Sequence, residues 1–537
     1  LLTKDFMSPF GIKTDYDALF KAYEEVKDKA DFIVIQTGDT YRLNQYMSIS
    51  EGRLQQTKAD IFKEIDVFLG RIIENNNSDD MLLLLVVPFP SSVDVANGNR
   101  LTPIIVSNDS VSKGILTSAT TKRDGIITNT DLAAHVLTYF GIAKPSLMTG
   151  HQMISKSVDE PLEHLRSLNE ISVFNYKTRS VVVKAYIGFI IVAMLLSFIF
   201  MVYFKRYLEW IKPLLIAVLI VPTVLLLLPL FNPWNTVRFA ISLIVTVMIF
   251  SLGLFYVFKD NLNIFIAACL LSTGIILADT YLNNSLMRVS ILGYDPIIGA
   301  RFYGIGNEYM GFLLGTTAIG TAALIDRYRD KARLLKIVSI VIYAIVLITL
   351  MLPTLGTNVG GTMAAFLGLG TAVLLHLKSK ITKKDLLILA CLLLIFLFAL
   401  FVYDGMQPSE TQSHIGQTSS LIKQNSLFVL FQIFARKLST NYKLVKYSTW
   451  TLVLITTMVT LAILFRWPVG ILKKIFRKHN HLYFGFISGI TGTMAAFIFN
   501  DSGVVAAAMS MIPITIPLIL MCIDEDLKTS SSTKENH

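Results

Sequence analysis

From about Val181 onward the chain alternates long apolar runs with short polar connectors, whereas the first 178 residues mix short apolar segments with helical spacings. About eleven runs are long enough to span, or nearly span, a bilayer, which takes roughly 20 apolar residues in a helix. They cover 181–204, 213–230, 239–258, 264–282, 302–325, 336–354, 361–377, 386–403, 449–466, 482–499 and 503–523. In the first part, Asp31–Thr37, Met81–Val87 and Pro103–Ser107 read as short buried strands, and Arg53–Asn76 has helical spacing. Thr130–Phe140 reads as a helix, with Thr128, Asn129 or Thr130 as its N-cap and Gly141 at its end. Strands alternating with helices predict an α/β domain with a mainly parallel sheet. The expected organisation is an α/β domain over 1–178, an all-α polytopic membrane domain over 179–525 and a tail over 526–537.

The connectors alternate in charge. Lys205, Arg206 and Lys212 follow the first run, and Arg327, Arg329, Lys331 and Arg333 the fifth. Lys378, Lys380, Lys383 and Lys384 follow the seventh, and Arg466, Lys473, Lys474, Arg477 and Lys478 the ninth. Basic connectors face the cytoplasm. This predicts a multi-pass plasma-membrane protein with an extracytoplasmic N-terminal domain and a disordered cytoplasmic tail. One outer connector, Asp404–Ser448, is long. Its segment Ser420–Leu438 is too short to span and is closed by Arg436 and Lys437, so it reads as an amphipathic helix on the outer leaflet, with a partly re-entrant element as the competing reading. GTMAAF occurs at Gly361–Phe366 and again at Gly492–Phe497, in runs of opposite direction. An inverted repeat is one reading, and small-residue helix packing is the other.

Composition sharpens this picture. Of 537 residues, 53% are hydrophobic and 16% charged, against roughly 25% charged in soluble domains. A plain soluble enzyme, a disordered chain and a nucleic-acid-binding domain are excluded, and cytoplasmic loops account for the net charge of +10. Cys269, Cys391 and Cys522 all lie in apolar runs, so neither a disulfide framework nor a cysteine metal site is expected, and no cofactor is implied. The chain starts at Leu1 without a signal-peptide pattern, so a true start further upstream is expected.

LTPIIV (Leu101–Val106) and GILTSATTKRDGIITNTDLAAHVLTYFGI (Gly114–Ile142) resemble the C-terminal part of the alkaline phosphatase superfamily. There a Pro-led strand and a loop precede a "tDlaptlL..lGi" helix, which Asp131, Leu132, Leu137 and Gly141 match. The resemblance implies an alkaline-phosphatase-like outer domain, incomplete at its N terminus. Members of that superfamily hold two metal ions through Asp and His beside a Ser or Thr nucleophile. Here the strand expected to end in Asp-His ends Val87-Pro88-Phe89-Pro90, and Asn97-Gly98-Asn99-Arg100 stands where a further His is expected. Asp39 has no His at ligand spacing, and the domain's histidines are His135, His151 and His164. A dinuclear site needs several converging ligands. A metal-free, degenerate domain is therefore expected, with Asp39 as a turn or cap residue. The membrane half resembles uncharacterised bacterial membrane proteins through ARFYGIGNEYMG (Ala300–Gly311), PTLGTNVGG (Pro353–Gly361) and FNDSG (Phe499–Gly503), and that family brings no activity with it.

An ionisable residue in a span is costly unless paired or hydrated, so it is a functional candidate. Arg301 and Glu308, seven apart, are expected on one face of a helix, about 10 Å apart along its axis, with Asn307 alongside and Gly304, Gly306 and Gly311 thinning the helix. A structural Arg–Glu network and a snorkelling Arg301 are the alternatives. Thr354, Thr357 and Asn358 lie in a Gly-rich junction that reads either as loosened, ligand-binding backbone or as a tight turn. Asn500, Asp501, Ser502 and Asp279 lie at outer membrane ends, and Asp501 is either a functional group or a helix cap. The candidate catalytic residues are thus Glu308 and Asp501, and the candidate substrate-binding residues are Arg301, Asn307, Thr357, Asn358, Asn500 and Ser502. No metal ligand is named. His414 and Arg436 on the long connector are further candidates for the same face.

The first functional reading is a cell-envelope protein that binds or transfers an anionic, polyprenyl-phosphate-linked substrate at the outer leaflet. Arg301 would hold phosphate, and Glu308 or Asp501 would act as a general base or bind a sugar hydroxyl. The alternatives are a proton- or cation-coupled transporter, a membrane-anchored metallophosphatase and a scaffold. Membrane lipids are expected partners and nucleic acid is not. Catalysis and oligomeric state are left open.

Overall fold

The computed structural model describes residues 1–46, 50–76, 81–109, 111–145, 148–299, 301–378, 380–405, 428–466 and 470–535. They form two compact units. The first comprises Leu1–Leu116, Tyr139–Gly141 and Ile154–Leu165; the second comprises Thr117–Thr138, Ile142–Met153 and the chain from Arg166 onward.

In the first unit, β1 (Leu2–Lys4) pairs antiparallel with β2 (Ile12–Thr14), and β3 (Leu83–Val86) with β4 (Ile104–Ser107). The helices are α1 (Tyr16–Val26), α2 (Asp39–Gln45), α3 (Glu51–Glu74) and the short α4 (Ser92–Ala96). Asp15 caps α1 by accepting the Ala18 N–H. Phe20 and Tyr23 of α1 close a small core on Phe68 and Ile72 of α3. The strands expected at Met81–Val87 and Pro103–Ser107 and the helix expected at Arg53–Asn76 are present. Two expectations are corrected. Asp31–Thr37 is not a strand: Ile33 and Ile35 rest on the α1–α3 core while Phe32 and Val34 are exposed, and the segment alternates without a paired strand. The β1–β2 and β3–β4 pairs are antiparallel rather than parallel. The connector between β3 and β4 carries only the five-residue α4, far short of the crossover helix in a βαβ unit of roughly 30 residues.

Next along the chain come β5 (Ile115–Ser118), α5 (Asn129–Tyr139) and β6 (Met153–Lys156), with β5 paired to β6. Thr128 is the cap of α5. Its carbonyl accepts the Asp131 N–H, and the Asp131 carboxylate accepts the Thr128 N–H (2.8 Å) in return.

The rest of the second unit is helical: α6 (Pro161–Tyr203), α7 (Lys212–Leu227), α8 (Thr236–Val257), α9 (Asn261–Tyr281), α10 (Asn307–Arg327), α11 (Ala332–Met351), α12 (Val359–Lys378), α13 (Lys383–Gly405), α14 (Phe428–Tyr447), α15 (Trp450–Arg466), α16 (Ile471–Lys478), α17 (Asn480–Phe499) and α18 (Gly503–Glu535). Among the described residues nine helices are long and apolar enough to cross a membrane, or ten if the α14–α15 pair, bent by 81°, counts as one span. The chain is therefore a helical protein built for a membrane. The most apolar window of α18 is 100% buried and that of α8 only 6%, so α18 is the axis of the bundle and α8 its rim.

Small residues bring the central helices together, as lipid-solvated packing requires. Gly311 and Gly315 of α10 lie against the backbone of α18 at Ala506 and Ser510. A side chain on Gly368 would meet Gly492 Cα at 2.7 Å, and the Ser488 hydroxyl donates to Gly368 O (2.8 Å). Gly492 of the second GTMAAF copy also packs near Ala364 O of the first (3.6 Å from where its Cβ would sit), so small residues of the two copies meet where α12 and α17 cross.

Candidate functional site

Backbone and amide hydrogen bonds join two of the connectors. The Ile305 N–H donates to Gly356 O (2.7 Å). Asn358, buried at the head of α12, donates from Nδ2 to Ile305 O (2.9 Å) and reaches Asn307 Oδ1 (3.4 Å), while its Oδ1 accepts the Gly361 N–H (2.8 Å). The Tyr294 hydroxyl donates to Gly304 O (2.6 Å). Gly304 has φ +77°, and a side chain there would strike Gly356, so only glycine fits. Thr357 has φ +44°, an unfavourable value for a β-branched residue, and its hydroxyl donates to Pro353 O (2.9 Å). The 353–358 segment is therefore a hydrogen-bonded turn that clamps the 294–306 connector.

This geometry corrects one expectation. Gly306 is the N-cap of α10, which begins only at Asn307. Arg301 stands before the helix, in an isolated β-bridge with Asp295, so Arg301 and Glu308 do not share a helix face. The turn at Gly304 ends the helical path that the apolar pattern suggested. The two side chains still converge: Glu308 Oε2 and Arg301 Cδ lie 3.6 and 3.8 Å from where a Cβ on Gly306 would sit. Arg301 Nη1 donates to Ile305 O (3.0 Å). Burial pulls its guanidinium below the ordinary value, opposed by Tyr294 and Glu308.

Glu308 lies in the first turn of α10, where the helix dipole favours a carboxylate. Its ion-pair partner is Arg179 of α6, Nη2 to Oε1 at 2.7 Å, and Arg179 Nη1 donates to Gly293 O (3.0 Å). Sequence reasoning missed Arg179. The available signal was a group of cations, Lys177, Arg179 and Lys184, at the edge of the first apolar run.

At the α17–α18 junction, Asn500 Nδ2 donates to Ala496 O (3.1 Å), and its Oδ1 packs on Gly360, where no Cβ would fit. Asn441 of α14 donates to Phe497 O (3.1 Å) and Asn500 O (2.9 Å) and accepts the Gly503 N–H (2.8 Å). Asn441, and not Asp501, therefore caps α18. Asp501 is exposed and pairs with Lys437 at 3.2 Å. The Ser502 carbonyl accepts the Val505 and Ala506 N–H groups. Asp279 is a turn anchor: its carboxylate accepts the Leu286 and Met287 N–H groups (2.8 and 3.0 Å). Arg436 is exposed on α14. His414 and the 406–427 part of the long connector lie outside the described residues. The Asn500–Ser502 junction, together with Asn441, thus sits at the Gly360 end of α12, close to the clamped connectors.

The Thr117–Thr138 segment belongs to the same unit. Lys122 donates to Pro353 O (3.2 Å) and stands 4.7 Å from the centre of the Tyr303 ring. Arg123 is 3% exposed, and its Nη1 has no hydrogen-bond partner among the described residues. Burial, then repulsion from Arg288, pulls Arg123 down to about 10. Asp131 is buried, which disfavours its charge. Hydrogen bonds from Thr120, the His151 and Thr128 N–H groups and Ser118 nevertheless hold its carboxyl below the usual range.

In the first unit, Asp39 accepts the Thr14 N–H (2.9 Å), the Tyr16 hydroxyl (2.9 Å) and Arg42 Nη2 (2.6 Å), which is the work of a turn residue. Among the described residues no three His, Cys, Asp or Glu side chains converge, so they do not fit the dinuclear centre of the alkaline phosphatase superfamily. Comparison with known proteins leaves the reading to this geometry: no family model, no curated protein and no solved structure matches the chain.

Proposed function

We propose that this chain is a cell-envelope protein of the plasma membrane that binds or transfers an anionic, polyprenyl-linked substrate at the outer leaflet, with the clamped connectors facing outward. The observation that carries the proposal is the convergence of Arg301 and Glu308 on Gly306, at a membrane-helix N terminus clamped by the 353–358 turn. Arg301 makes its side-chain hydrogen bonds through Nη1, to the Tyr303 and Ile305 carbonyls, which leaves the rest of its guanidinium fork for phosphate oxygens. Glu308 gives Oε1 to Arg179, which leaves Oε2 to accept a hydroxyl proton. Asn307, Asn358 and Thr357 hold this geometry. Asp501, with Asn500 and Ser502 beside it, would meet the polar part of the substrate. The basic connectors at the other helix ends support the outward orientation. The N-terminal domain is assigned a non-catalytic, phosphatase-like binding role.

The position of the charges disfavours transport. Secondary transporters bind their cargo near the bilayer midplane. In the spanning helices of this chain the charged side chains sit toward the ends, as with Glu308 and Asp326 in α10 and Asp279 in α9. The test is native mass spectrometry of protein released directly from its membranes. A polyprenyl-phosphate lipid bound to the wild type and lost in Arg301→Gln and Glu308→Gln supports the proposal. Proton uptake by vesicles, abolished in Glu308→Gln with no bound lipid in any form, would replace it with transport.

A further inference from the structure

The α10–α11 junction, at the end of α10 opposite Asn307, carries a surface pocket. It measures about 420 Å³ and is lined by Asp330, Lys331, Arg333, Leu334 and Ile337, which is within the roughly 300–1,000 Å³ of ligand clefts. Its cations differ from their neighbours in the chain. Arg329 is drawn inward by Asp326 (3.4 Å) and the Lys478 carbonyl, and Lys336 by the His376 carbonyl (3.1 Å). Lys331 and Arg333 are exposed and form no ion pair or side-chain hydrogen bond among the described residues.

The same helix supplies an apolar track. Ser339, Tyr343, Val346 and Leu350 of α11 are buried, and the Tyr343 hydroxyl meets Thr321 of α10 at 2.7 Å. Leu334, Ile337, Val341, Ile345 and Ile348 are exposed, at the three- and four-residue spacings that share one helix face. From Leu334 to Ile348 that face runs about 21 Å at 1.5 Å per residue, more than half of the roughly 30 Å hydrocarbon core. The track therefore starts at the pocket and is long enough for an acyl chain to reach the middle of the bilayer. Lys331 and Arg333 then stand at headgroup depth, where cations flanking an apolar stretch reach for phosphate.

The charges of the lining select the headgroup. Two cations against one carboxylate leave an excess of positive charge. A phosphodiester of an uncharged alcohol is anionic and matches it, whereas a zwitterionic headgroup does not. Asp330 repels the phosphate but accepts a hydrogen bond from a headgroup hydroxyl. We propose that this pocket binds one anionic phospholipid of the phosphatidylglycerol type, with its phosphate on Lys331 and Arg333, its glycerol hydroxyl on Asp330 and one acyl chain along the Leu334–Ile348 face.

The experiment is native mass spectrometry of the full, delipidated chain titrated with four lipids of identical acyl chains. They are phosphatidylglycerol, phosphatidylmethanol (the same charge without a headgroup hydroxyl), phosphatidylethanolamine and phosphatidylcholine. The readout is the Kd of the first lipid bound. Wild type is expected to bind phosphatidylglycerol about ten-fold more tightly than either zwitterionic lipid, and more tightly than phosphatidylmethanol. Lys331→Gln combined with Arg333→Gln should remove that ten-fold preference, and Leu334→Trp, which fills the pocket without changing its charge, should weaken phosphatidylglycerol by about as much. Asp330→Ala should bring phosphatidylglycerol and phosphatidylmethanol to one Kd. Lys473→Gln combined with Arg477→Gln removes two exposed cations of α16 and should leave the Kd unchanged. All these side chains are exposed, so lipid-free unfolding midpoints are expected to match the wild type. Phosphatidylglycerol bound no more tightly than phosphatidylcholine or phosphatidylethanolamine, a Kd unchanged by the Lys331 and Arg333 substitutions, or an equal loss in the Lys473 and Arg477 pair would each overturn the site. Arg301→Gln and Glu308→Gln, at the other end of α10, are expected to keep this binding, so the outer-leaflet reading and this one fail separately.

Discussion

The two ends of the helical bundle treat charge in opposite ways. At the end rich in Lys and Arg connectors, several cations next to α18 and α10 are matched by carboxylates, while others such as Lys331, Arg333, Lys473 and Arg477 have no ion pair among the described residues. Lys212 pairs with Asp524 (2.8 Å) and Glu209 (2.6 Å), Lys205 with Asp526 (3.0 Å), Arg329 with Asp326 (3.4 Å), and Lys474 with Glu525. Three of these pairs, through Asp524, Glu525 and Asp526, tie the end of α18 to its neighbours. At the other end, Asp279 is held by backbone amides, Glu308 by Arg179 and Asp501 by Lys437, and Arg123, Arg288 and Arg301 form no ion pair among the described residues. The number of basic residues does not reveal this, because both ends are basic. The distribution of the carboxylates does.

Substitutions can break or sharpen this contrast. The largest effect is expected at the matched end: Lys212→Met strands Asp524 and should cost about 4 kcal/mol of stability, read as a lowered unfolding midpoint. Adding Asp524→Leu should restore most of that loss, since removing both partners of a buried pair is close to neutral. At the unmatched end, Glu308→Ala strands Arg179 and should cost about 3 kcal/mol; no loss would mean that Arg179 finds another partner. Asp131→Asn should cost about 2 kcal/mol and should also remove a pH dependence. The folded Asp131 carboxyl is held below its ordinary value. Its contribution is therefore complete above the unfolded value near 4, and it fades as pH falls through the lower folded value. Wild-type stability should drop across that acid window, and the Asn variant should be flatter there. The smallest effect is expected for Asp501→Asn, which removes an exposed pair with Lys437 and should cost under about 1 kcal/mol.

The membrane half was the more legible part. Long apolar runs and alternating connector charge mark out the spans because lipid requires each helix to satisfy its own backbone. Against about eleven expected runs, the described residues give nine candidate spans, or ten with the bent α14–α15 pair, and edges moved, as at α10, where the apolar pattern runs through Gly304 but the positive φ there delays the helix to Asn307. In the N-terminal part, α3, α5, β3 and β4 were readable from local pattern. The pairing of strands was not, because pairing depends on connection length and on partners distant in sequence. Asp31–Thr37 has a strand composition but no paired strand. At the candidate site, sequence supplied Glu308, Arg301, Asn307, Asn358 and Asn500, yet their partnerships are tertiary. Glu308 finds Arg179, 129 positions away, and Asn441 caps α18 from 62 positions away. Arg123 is set apart by its burial, which is a tertiary property.

The central claim is that the buried Arg123 has no ion-pair partner among the described residues, while the buried Lys212 at the other end of the bundle is paired with Asp524. It is tested most directly by measuring the unfolding midpoints of Arg123→Met and Lys212→Met side by side, in one detergent and without added anions. The expected result is opposite signs, with Arg123→Met at or above the wild type and Lys212→Met well below it. Two midpoints lowered alike would contradict the claim and make Arg123 a structural cation like Lys212.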